Sequence, residues 1–213
     1  MSRPTEIAYQ YIKEKILNGT LKPAQKLTEI QLTQEIGVSR STIKKALLKL
    51  EQENLVTIED NKGATIKSFT LEEVLNYLEI REVLEGLIAR SAARNITAAD
   101  LDKLKIILEQ MKLFLNNNEF DKYSEQNKEF HAVIYQLASN RPAVDIITII
   151  RTQLIRYQFR TILVPGRKDL SFAEHMTIYE ALREHNEDQA ELAIKRHVAS
   201  VRKVVEQNYH YLV

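Results

Sequence analysis

The chain has 213 residues, enough to bury one large core or two smaller ones, and no Cys, which excludes a disulfide framework and a thiolate zinc site and fits a reducing cytoplasm. Its net charge of +1 conceals an asymmetry: residues 1–69 carry 11 Lys and Arg against 8 Asp and Glu (+3), leaving 19 against 21 (−2) for residues 70–213. A basic front and an acidic back suit a DNA module joined to something else, and no apolar run approaches the roughly 20 residues a membrane helix requires, so no membrane partner is expected.

A first helix is predicted from about Pro4 to Asn18, with Ile7, Tyr11, Ile12 and Ile16 as its apolar stripe and Gly19 past its end. After the connector Leu21-Lys22-Pro23-Ala24, a short second helix spans about Glu29 to Ile36, capped by Thr28 and ended by Gly37. Ser39 caps a third helix, about Arg40 to Glu53, whose buried face is read as Ile43, Leu47, Leu48 and Leu50. Helix, tight turn and helix form the helix-turn-helix pattern. Two short alternating segments, 55–58 and 64–67, flank a run of turn formers from Glu59 to Gly63 and predict a hairpin wing.

From Thr70 onward the periodicity is helical throughout, with helices expected at about 71–94, 98–117, 120–138, 141–163, 170–185 and 187–211. Thr70-Leu71-Glu72-Glu73 and Thr97-Ala98-Ala99-Asp100 read as helix starts. The expected fold is mainly α: a winged helix-turn-helix over residues 1–69 and an all-α six-helix bundle over 70–213.

The third helix carries Arg40, Lys44, Lys45 and Lys49, with no acidic residue before Glu51. Phosphates need cations, and base edges need forked or amide donors. Ser39, Ser41 and Thr42 at the helix start add backbone-phosphate contacts. A basic face alone is also what an ordinary solvated helix shows; its place in a helix-turn-helix followed by a wing points to DNA. In the bundle, Asn127 and His131 share a helix face, and His175 and His197 lie on two further helices. Three imidazoles and an oxygen donor from three helices can hold a divalent cation inside a bundle. Imidazole suits zinc, nickel, iron or copper, and the oxygen ligand admits manganese. The bland alternative is three packed histidines.

The stretch from Ile16 to Leu27, then Leu32 to Leu47, resembles the GntR-family winged helix, with Leu50-Glu51-Gln52-Glu53-Asn54-Leu55-Val56 and the wing Lys62-Gly63-Ala64 continuing the match. The resemblance implies Arg40 as a principal DNA contact, Lys44 beside it, and Lys62 and Gly63 at the wing. Lys44 stands where an Arg is usual, Lys45 where a Glu is usual and Thr42 where a Pro is usual, so a less typical operator is implied. Ala24 and Asn54 stand where glycines are usual.

The second half is similar to the FCD effector domain of the FadR subfamily. The match rests on Arg81-Glu82-Val83-Leu84-Glu85, Asn127-Lys128-Glu129-Phe130-His131, Glu174-His175 and Ala190 to His197. The resemblance implies a metal held by Asn127, His131, His175 and His197, with zinc first and nickel, manganese or iron as alternatives. It also implies a small carboxylate effector gripped by Arg81, for which an ion pair with Glu85 is the alternative. A dimeric cytoplasmic regulator follows, usually a repressor and not an enzyme, binding a palindromic operator. Two other readings compete: a metallohydrolase using Glu174 beside His175, and a DNA-binding protein whose bundle only dimerises.

Overall fold

The computed structural model describes residues 2–59, 63–155 and 161–212. They fall into two compact units, one of residues 2–59, 63–70 and 151–155, the other of 71–150 and 161–212.

In the first unit, α1 (Arg3–Leu17), α2 (Glu29–Ile36) and α3 (Arg40–Gln52) accompany strands β1 (Lys26–Leu27), β2 (Val56–Glu59) and β3 (Gly63–Ile66). The Thr28 hydroxyl accepts from the Gln31 amide at 3.2 Å and caps α2. Gly37 ends that helix at φ +76°, where L side chains clash. The Ser39 hydroxyl accepts from the Thr42 amide at 3.3 Å and caps α3. The sheet is antiparallel in the order β1-β3-β2, with Leu27 opposite Ala64 and Val56 opposite Ile66.

The core of this unit is Ile12, Ile16, Leu27, Ile43, Leu47, Leu50, Leu55 and Ile66. Two expected core residues lie elsewhere. Ile7 is 53% exposed because α1 buries Thr5, Ala8, Tyr9, Ile12 and Ile16, a face rotated from the predicted stripe. Leu48 is 52% exposed because Ile43, Ala46, Leu47 and Leu50 already fill the inner face of α3.

Ala24 and Asn54 both adopt left-handed backbone, at φ +63° and +61°. Asn tolerates this region, whereas the Ala Cβ meets the neighbouring carbonyl. Ala24 is exposed, so its methyl group gives little packing in return. Ala24→Gly should therefore stabilise the winged helix by about 0.5–1 kcal/mol, and Asn54→Gly by less. Chemical denaturation followed by circular dichroism checks both, and a loss of stability in Ala24→Gly would contradict the strain.

The second unit contains α4 (Leu71–Asn95), α5 (Ala98–Asn116), α6 (Phe120–Leu137), α7 (Arg141–Ile155, up to Ile150 in this unit), α8 (Arg167–Arg183) and α9 (Glu187–Leu212). Thr97 and Asp100 form a reciprocal capping box that opens α5. Ala89, Ala92 and Ala93 on α4 are wholly buried, and α4 packs along α9. Phe130, Ile134, Ile178, Leu182 and Ile194 fill the interior. The helix expected at 141–163 is described only as far as Ile155, and Thr161–Leu163 is a 3-10 turn. Gly166 at φ +78° then starts α8 at Arg167, three residues earlier than predicted. No described helix is long and apolar enough to cross a membrane.

Candidate functional site

The bundle brings together residues far apart in the chain. His131 on α6, His175 on α8 and His197 on α9 are 2%, 0% and 5% exposed. One ring nitrogen from each lies within 4.8 Å of the others. Asn127, one helical turn before His131, places its Oδ1 2.6 Å from His175 Nε2.

The second nitrogen of each ring meets an oxygen. His175 Nδ1 donates to the Ser171 carbonyl at 2.6 Å. His197 Nδ1 donates to Glu174 Oε2 at 2.8 Å. His131 Nδ1 lies 3.4 Å from Glu85 Oε2. The hydrogen bonds of His175 and His197 fix their tautomers and leave their Nε2 lone pairs for a common guest.

The Asn127–His175 pair tests whether a cation fits. The Ser171 carbonyl can only accept, so the His175 proton sits on Nδ1 and Nε2 is an acceptor. An amide oxygen is also an acceptor. Two lone pairs 2.6 Å apart repel unless a cation lies between them or the amide turns its NH2 inward. Burial, then the charges that His197 and His131 would carry, hold His175 well below the usual histidine range, so its ring is neutral and ready to ligate. The four residues fit a borderline divalent ion.

Two carboxylates support the histidines, and each is held by an arginine. Arg81 Nε donates to Glu85 Oε1 at 2.8 Å, and a second guanidinium nitrogen lies 2.7 Å from the same oxygen. This is the ion pair weighed above as the alternative role for Arg81. Arg167 lies 2.8 Å from Glu174 Oε2. Burial pushes the Glu174 carboxyl up, but hydrogen bonds from His197 and Arg167 outweigh it and hold it at about 2. One oxygen of this carboxylate is thereby engaged by both His197 and Arg167.

Ser171, Arg167 and the approach of Glu85 to His131 escaped the sequence reading. The only hint was helical spacing: Arg167 stands two turns before Glu174, and Ser171 one turn before His175. His185 and His210 lie apart from the cluster: His185 Nδ1 is 3.0 Å from the Ala93 carbonyl, and His210 meets Tyr209 edge to face. A cavity of about 330 Å³, lined by Phe120, Lys122, Ser124, Ile162 and Leu163 among others, opens near the start of α6, and none of the four candidate ligands lines it.

In the first unit, Arg40, Ser41, Lys44 and Lys45 are exposed on α3. Ser39 and Thr42 are bonded to each other at the cap. Lys44 comes no nearer to Glu29 than 3.9 Å, so its ammonium is available. Lys49 is placed differently: its ammonium sits 3.5 Å over the Tyr9 ring and 3.6 Å from Glu6, against α1. Gly63 is buried at φ +98°, and a Cβ there would lie 2.3 Å from the Leu27 carbonyl oxygen. What Gly63 supplies is the close pairing of β3 with β1. Lys62 lies outside the described residues.

Residues 4–66 match the bacterial regulatory proteins of the gntR family, and residues 76–200 match the FCD domain. The HTH-type transcriptional repressor RspR of Escherichia coli is 24% identical over 93% of this chain and 87% of its own length. The HTH-type transcriptional regulator LutR of Bacillus subtilis is 28% identical over 89% of this chain and 95% of its own. The solved structure of E. coli McbR/YncC superposes with a TM-score of 0.79 at 18% identity, covering 98% of this chain and 100% of that one. A gntR-type winged helix followed by an FCD bundle makes this chain a member of the GntR family of transcription regulators, in its FCD-containing branch.

Proposed function

We propose that the protein is a cytoplasmic, homodimeric repressor whose operator affinity is set by a small carboxylic acid bound beside a divalent metal. The observation that carries this reading is the convergence of three buried histidines and Asn127 in the FCD domain. Asn127, His131, His175 and His197 would hold the ion, which supplies Lewis acidity and positive charge for an anionic ligand. Zinc fits the donor set best, and nickel, manganese or iron remain compatible with it. Glu174 and Glu85 orient the imidazoles. Binding of the acid shifts the dimer between states of different operator affinity.

Ser39, Arg40, Ser41, Thr42, Lys44 and Lys45 form the proposed DNA face. Arg40 reads base edges, and Lys44 and Lys45 act as point charges toward phosphates. Exposed Ile80, Val83 and Leu87 along α4 favour a second copy as partner, consistent with a palindromic site. Arg40→Ala should weaken binding by about 1–3 kcal/mol on DNA selected from a random library, whereas Lys49→Ala should act mainly on stability. Gel shifts on selected and random DNA decide it. Unchanged selected-site affinity in Arg40→Ala would overturn the reading.

A further inference from the structure

Helices α6 and α8 are tied by two polar rungs. Tyr123 and Asn127 stand one turn apart on α6, and Ser171 and His175 stand one turn apart on α8. The Tyr123 and Ser171 hydroxyls are 2.9 Å apart, and the Asn127 amide lies 2.6 Å from His175 Nε2. The proton count at the second rung is fixed from the far side of the ring. The Ser171 carbonyl takes the Nδ1 proton at 2.6 Å, so Nε2 offers a lone pair and needs a donor or a cation. His175 is wholly buried, so water does not answer that need freely. An asparagine answers it in both ways. Its nitrogen donates and its oxygen ligates, and a half-turn about Cβ–Cγ exchanges the two without moving either helix.

We propose that Asn127 is an exchange residue, its Nδ2–H donating to His175 Nε2 in the ion-free protein and its Oδ1 turning to the ion when one is held, so that the ion is exchangeable rather than a permanent brace. This rests on the reading of the histidine cluster as a metal site. Without the amide donor, departure of the ion would leave a buried His175 lone pair unanswered, at the cost of its desolvation. With it, the rung between α6 and α8 survives in both states and the bundle stays folded. Occupancy of the site then varies with metal supply, which a permanent brace would not allow.

The test is nuclear magnetic resonance of the full-length, isotope-labelled protein, stripped with EDTA and then titrated with zinc chloride. The stripped protein should be folded by circular dichroism. A nitrogen–nitrogen coupling across the hydrogen bond should join Asn127 Nδ2 to His175 Nε2, and it should vanish as zinc is taken up. Asn127→Leu fills the same space with neither donor nor ligand. It should lower zinc affinity about tenfold or more and also lower the stability of the stripped protein to urea. A residue that acts only as a ligand would lower zinc affinity alone, and that result would overturn the proposal. So would unfolding of the stripped wild type, absence of the coupling from it, or persistence of the coupling with zinc bound; each leaves the metal site standing. No uptake of zinc by the wild type would overturn the metal reading, and the exchange with it.

Discussion

Replacing His175 with alanine is expected to abolish binding of the proposed divalent ion, lowering affinity by more than about 100-fold, since loss of a mere supporting group already costs about 10- to 100-fold. His175 is the hub of the cluster: its ring centroid lies 5.5 Å from that of His131 and 4.6 Å from that of His197, and its Nε2 faces Asn127. Asn127→Asp should tighten the ion by adding a negative ligand. The pH dependence follows from the depressed histidine. Its folded-state value lies below the unfolded value of about 6.5, so the neutral ring contributes its full stability above about pH 6.5. As pH falls below that, the unfolded chain takes the proton first and the contribution is lost. Metal release runs in the same direction, because protons compete for the lone pairs. Elemental analysis of protein dialysed at about pH 8 and about pH 5 reads the release, and urea denaturation at the same two values reads the stability. Retention of metal by His131→Ala and His175→Ala, with loss in His185→Ala or His210→Ala, would place the site elsewhere.

Gly63→Ala should be the most damaging single change in the winged helix, costing about 3 kcal/mol or more. Two penalties combine. The backbone stands at φ +98°, and the new methyl would lie 2.3 Å from a carbonyl oxygen that cannot move without breaking the β1–β3 ladder. DNA affinity should fall with the fold of this unit, while the metal content of the FCD domain stays unchanged. Urea denaturation together with zinc analysis tests it. A variant as stable as wild type would mean that β1 yields easily.

The caps were legible before the structure because their chemistry is local. Thr28, Ser39, Thr97 and Gly37 act within four residues of themselves, and each does what its type and spacing demand. Strand β1 was not legible: two residues, Lys26–Leu27, carry no periodicity, and only pairing with β3 makes them a strand. Ile7 and Leu48 were assigned to the interior on hydropathy, but small Thr5, Ala8 and Ala46 take those places because α1 and α3 pack closely. At the candidate metal site, the three histidines and Asn127 that the structure brings together were legible from their spacing and resemblance. Their supports were not. Whether Glu85 faces His131, or Glu174 faces His197, depends on how whole helices settle against each other, and no local pattern encodes that.

The two arginine–carboxylate pairs behind the histidines, each with one buried partner, have an electroneutrality consequence. Arg81 cancels Glu85, and Arg167 cancels Glu174. The remaining donors, a neutral His175 and the Asn127 amide among them, contribute no counter-charge. A dication entering this interior would bring its full charge into a low-dielectric space where, among the described residues, both nearby carboxylates are already paired. The cheapest balance is an anion that arrives from outside. Metal and acid would then be taken up together, the acid offsetting part of the charge of the ion, each raising the affinity for the other by the same factor. A regulator built this way answers to the product of two concentrations and stays silent when either is scarce.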